Sequence, residues 1–99
     1  TSASRLGKLP ELPTVAETLS GFEMAGWFAI FAPTGTPRAV VVRLNDEVAK
    51  FLRLEEVRER LSGLGAEPMS GSPEKLASYV RDEIAKFGRV IKAAGITPE

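Results

Sequence analysis

The stretch Met24-Ala25-Gly26-Trp27-Phe28-Ala29-Ile30-Phe31-Ala32 carries no charge and runs straight into Pro33. Its aromatic and branched residues, its length and the proline that closes it predict a strand covered on both faces. Such a strand needs neighbours on both edges and packing on both sides. The rest of the chain offers few. The other strand candidate, Ala66-Glu67-Pro68-Met69, is short and suited to an edge, because Pro68 has no amide hydrogen for a ladder. At 99 residues the chain has room for one domain at most. A domain of this size buries only about 60 to 65% of the surface its unfolded form exposes. Either another chain completes the sheet, or the sequence is part of a larger protein.

What surrounds the stretch reads as loop and helix. Leu9-Pro10-Glu11-Leu12-Pro13 forces extended backbone before each proline and blocks a helix. Thr14-Val15-Ala16-Glu17 has the spacing of a capping box, so one or two helical turns follow it and Gly21 ends them. In Pro33-Thr34-Gly35-Thr36-Pro37, Thr36 is placed as N-cap and Pro37 as first helical residue. The helix beyond has apolar positions Val40, Val41, Leu44, Val48, Phe51 and Leu52 at steps of three and four. A second helix starts near Glu55 with Val57, Leu61 and Leu64, and Gly65 is suited to the left-handed conformation at its end. Ser72 and Pro73 open a third. Its stripe of Leu76, Val80, Ile84, Phe87, Ile91 and Ala94 stops at Gly95, leaving residues 96–99 as a tail.

Composition excludes much chemistry. The chain has neither histidine nor cysteine, which removes thiol nucleophiles, disulfides, Cys/His metal sites, Ser-His-Asp triads and the usual proton shuttle near neutral pH. Almost all of its carboxylates, Glu83 among them, fall on helix faces read as polar and solvated, and Glu55-Glu56-Val57-Arg58-Glu59-Arg60 has the spacing of a self-paired exposed helix. An enzyme is not expected, and no cofactor or metal is called for. Thirteen basic residues balance thirteen acidic ones, so the excess that phosphate-backbone binding needs is missing. The longest uncharged run is too short to span a bilayer, and residues 1–8 contain no signal-peptide-like segment. The turn at 33–37 lies where anion-binding loops occur but has one glycine and no following lysine, so a rigid capped turn is the simpler reading. Trp27 reads either as a packing residue or as a pocket wall or hinge contact.

Several separated motifs then occur in order: Leu12-Pro13-Thr14-Val15-Ala16-Glu17, Trp27-Phe28-Ala29-Ile30-Phe31-Ala32-Pro33-Thr34-Gly35-Thr36-Pro37, Val42-Arg43-Leu44-Asn45-Asp46-Glu47 and Leu64-Gly65-Ala66-Glu67-Pro68. In these the chain resembles the C-terminal third of the Bug family, the periplasmic solute receptors of tripartite tricarboxylate transporters. The resemblance implies an α/β fold: the C-terminal fragment of a two-lobed, periplasmic-binding-protein-like flytrap, helix-rich with one long and one short strand. It implies that residues 1–23 are a remnant of the second lobe. Residues 24–99 would be the crossover strand and the C-terminal helices, belonging mainly to the first lobe. The implied partners are a small carboxylate ligand and membrane permease subunits, in the periplasm and with no insertion into the membrane. Gly26, Trp27 and Phe28, at the crossover, are the implied ligand-binding residues. Alone, the fragment is expected not to bind ligand and to form a homo-oligomer, for example a domain-swapped dimer through its unpaired strand edges. The alternative is a stand-alone helix-rich module that associates with itself.

Overall fold

Three α-helices carry the described part of the chain, and each starts and stops through chemistry local to its ends. The computed structural model describes residues 2–97; Thr1, Pro98 and Glu99, and so the end of the expected tail, lie outside them. The order is a 3₁₀ turn at Val15–Glu17, then α1 (Arg38–Phe51), α2 (Glu55–Gly63) and α3 (Pro73–Ala93).

The caps of α2 and α3 follow the sequence expectation. Ser72 is extended, its hydroxyl accepts from the Lys75 amide at 3.2 Å, and Pro73 opens α3. At the far end Gly95 turns left-handed, with φ 66°. The amides of Gly95 and Ile96 then reach back to the carbonyls of Lys92 and Ile91 at 3.3 and 3.1 Å, the paired closure that glycine permits. Gly65 and Ala66 close α2 in the same way onto Ser62 and Leu61. Removing the cap by Ser72→Ala is expected to cost about 1 kcal/mol of helix stability. That loss should show as reduced helical circular dichroism in a peptide spanning 71–97, and unchanged helicity would refute it.

The start of α1 is one residue later than expected. Thr36 is not the N-cap; Pro37 is. The Thr36 hydroxyl donates instead to the Pro33 carbonyl at 2.8 Å, closing the turn at Gly35, and the Pro37 carbonyl receives the amides of Val40 and Val41.

The N-terminal loop is organised by one guanidinium. Arg5 Nε and Nη2 donate to the two carboxylate oxygens of Glu17 at 2.7 and 2.5 Å, while Nη1 donates to the Pro10 carbonyl at 2.8 Å. Glu17 also accepts from the Thr14 amide at 3.0 Å, the carboxylate half of the expected capping box. Arg5, with the Thr14 amide second, pulls the Glu17 pKa from an ordinary 4.5 down to about 2. A carboxylate with a depressed pKa stabilises the folded loop above its ordinary value, and that contribution is lost as pH falls from 4.5 towards about 2. The Glu17 side-chain carbon resonance is expected to titrate near the lower value, and Arg5→Gln to return it to the ordinary range. A wild-type midpoint near 4.5 would contradict the pairing.

The long strand expected over 24–32 and the short one over 66–69 do not form: neither joins a β-ladder among the described residues. The reason is the one the sequence raised. A ladder is an exchange of hydrogen bonds between neighbours, and these two segments do not pair with each other or with a third.

Packing is equally incomplete. α1 and α3 meet, and Arg38 Nη2 lies 2.7 Å from Glu74 Oε1 between their first turns. Yet no apolar side chain among the described residues is buried. The accessible surface is 8410 Å², against about 5,500 Å² for a folded monomer of this mass. The radius of gyration is 16.5 Å, where a domain of this length has about 13 Å. The chain forms a slab, 42 × 38 × 22 Å, with apolar faces open to solvent.

Candidate functional site

Glu83 lies on α3 and is the most buried charged residue described, at 8% exposure. Sequence reasoning placed it on a solvated face. At about 100° per residue, however, it sits only about 20° round the helix from Leu76 and about 40° from Phe87, inside the apolar stripe. That placement is the signal that could have found it. The stripe that is partly covered runs through Leu76, Tyr79, Val80, Glu83, Lys86 and Phe87, while Ile84 and Ile91 are exposed.

Both carboxylate oxygens of Glu83 are engaged. Oε1 pairs with Lys86 Nζ one turn along the helix. Oε2 accepts from the indole N–H of Trp27, 56 residues earlier, at 3.2 Å. The Trp27 ring stands edge-on to Tyr79, centroids 5.5 Å apart and planes at 78°, a favourable aromatic geometry. Lys86 Nζ lies 5.3 Å from the centre of the Phe87 ring. The hydrogen bond from Lys86, with the Trp27 bond adding, holds the Glu83 carboxyl below its ordinary range, against the opposing effect of burial. Lys86 is raised in turn, chiefly by Glu83. Burial raises the Tyr79 phenol, with the Glu83 charge adding.

Of the three expected ligand residues, the structure sets one, still 36% exposed, against α3. Trp27 faces α3 and its single donor is used by Glu83. Phe28 points the other way and is fully exposed, at 102% of its reference surface. Gly26 has nothing within 4 Å of where a Cβ would stand, so no tight approach requires glycine there. A groove of about 450 Å³ opens elsewhere, between the loop at Leu6, Lys8 and Leu9 and the end of α2 at Gly65 and Glu67; none of the three borders it. Among the described residues no cluster of three side chains is arranged to hold a metal ion, and no helix is long and apolar enough to cross a membrane.

The chain is similar to a protein encoded between tcbD and tcbE in Pseudomonas sp. strain P51, 44% identical over 93 residues, which are 92% of this chain and 28% of that protein. It is similar to BugT of Bordetella pertussis, 32% identical over 95% of this chain and 29% of that one. Among solved structures, Rpa4515 of R. palustris with adipate superposes with a TM-score of 0.85 at 44% identity, covering 100% of this chain and 33% of that one. The chain thus spans about a third of the length of these relatives. Residues 1–96 match the sequence model of the tripartite tricarboxylate transporter family receptors, and the chain belongs to that family.

Proposed function

We propose that these residues are the C-terminal third of a two-lobed receptor that captures a small carboxylate in the periplasm and presents it to membrane permease subunits. The observation that carries this reading is the superposition of the whole chain on a third of a receptor holding adipate, at 44% identity. Residues 1–23 would then end the second lobe. Residues 24–99 would bring the crossover and the closing helices to the first. Closure of two lobes turns ligand occupancy into a shape that a partner can recognise. Absence of histidine and cysteine suits that task, which needs hydrogen bonds rather than reactive groups. Gly26 and Phe28 are the proposed ligand-side positions, because Phe28 faces away from α3, while Trp27 serves as an anchor rather than a contact.

Calorimetric titration of the intact receptor with adipate tests the reading. Saturable binding is expected from the intact protein and none from these 99 residues alone. No heat from the intact receptor with adipate or with any other di- or tricarboxylate would overturn it.

A further inference from the structure

The segment 24–32 joins no ladder among the described residues. Trp27 joins the segment to α3 twice: the indole N–H on Glu83 and the ring edge on Tyr79. The acceptor is a buried carboxylate in a chain with no buried apolar residue among those described. Burying a charge is unfavourable unless every lone pair finds a partner, and here the two oxygens divide between Lys86 and Trp27. A salt bridge confined to α3 would leave the second oxygen unused; the geometry spends it on the crossover.

We infer that Glu83 is the positioning residue of the crossover: with Lys86 fixing its charge, it holds the Trp27 indole and so sets how the segment 24–32 lies on α3. Resting on the reading of that segment as the passage between lobes, it follows that Glu83 also sets the lobe geometry into which a ligand closes, without touching the ligand. The coupling runs through one hydrogen bond to a charged acceptor, an interaction whose loss is worth about a tenfold change in an equilibrium.

The test uses the intact receptor and two conservative variants. Trp27→Phe keeps an aromatic edge for Tyr79 and removes the donor. Glu83→Gln keeps the side-chain length and cannot satisfy both Lys86 and the indole. Amide hydrogen exchange is read first. Each variant is expected to raise exchange across 24–32 about tenfold, with α1 unchanged, and the double variant to do no more than either single one. A role in bulk stability alone would raise exchange throughout. Unchanged protection across 24–32, a general rise, or additive effects of the two substitutions would each overturn the inference. Adipate titration is read second, and about a tenfold weaker affinity is expected in each variant. If wild-type receptor does not bind adipate while the exchange result stands, the carboxylate reading fails and the positioning role of Glu83 survives. If wild-type binds and neither variant alters affinity, the link from Glu83 to ligand closure fails.

Discussion

Expressed by itself, the 99-residue chain is expected to show no cooperative unfolding transition and to associate with itself as its concentration rises. Folding has to recover about 1 to 2 kcal/mol of backbone entropy per ordered residue, and apolar burial is the main source of that free energy. Here no apolar residue among those described is buried, and Phe28, Ile30 and Phe31 stand exposed on a segment with no ladder partner. An uncharged extended segment with free edges pairs readily with another copy. Sedimentation velocity at several concentrations, alongside thermal circular dichroism, checks this. A concentration-independent monomer with a sharp transition would contradict it. A tight dimer that melts as one unit would instead favour a stand-alone module that associates with itself.

Substituting Ile30→Asp in the intact receptor is expected to remove about 3 kcal/mol or more of stability, or to prevent accumulation of folded protein, by burying an unpaired carboxylate. In the chain alone Ile30 is 78% exposed, where such a change would cost little. The two readings of the segment therefore separate cleanly. If the regions of the relatives that this chain does not span cover residues 24–32 in the intact receptor, Ile30 becomes interior and the substitution is severe. Glu56→Gln, on a solvated face beside Arg60, serves as the control and is expected to stay within about 0.5 kcal/mol of wild type. A denaturation midpoint for Ile30→Asp equal to that of wild type would show that this face is never covered.

Much of the local structure was legible because its causes are local. Ser72 with Pro73, and Gly65 and Gly95, act within a few residues of themselves, so the ends of α2 and α3 could be read from the chain alone. The one-residue displacement of α1 shows the limit of the same logic. The Thr36 hydroxyl donates to the Pro33 carbonyl across the turn at Gly35 and does not cap the helix. Resemblance in four ordered motifs also sufficed for the family, and the match over residues 1–96 bears it out.

The candidate site was harder to read. The sequence marks Trp27 as either a packing residue or a pocket wall or hinge contact, and the structure places it against Tyr79 and Glu83. Glu83 reads in the sequence as one more carboxylate on a polar face, although its position among Leu76, Val80 and Phe87 sets it inside the apolar stripe. Its partner is 56 residues away, and no periodicity within a helix reveals that.

The sequence by itself determined where α2 ends and where α3 begins and ends, that thiol and imidazole chemistry are absent from these residues, and that the uncharged segment 24–32 needs neighbours this chain does not have. Those properties follow from backbone sterics, side-chain inventory and the pairing requirement of a strand, each readable residue by residue. Only the tertiary structure decided that the segment forms no ladder here, that the covered stripe of α3 runs through Glu83, and that the Trp27 indole is held by that carboxylate. Burial and long-range hydrogen bonds depend on which surfaces meet, and here the meeting of α3 with the segment 24–32 gives the Glu83 carboxylate its distant partner.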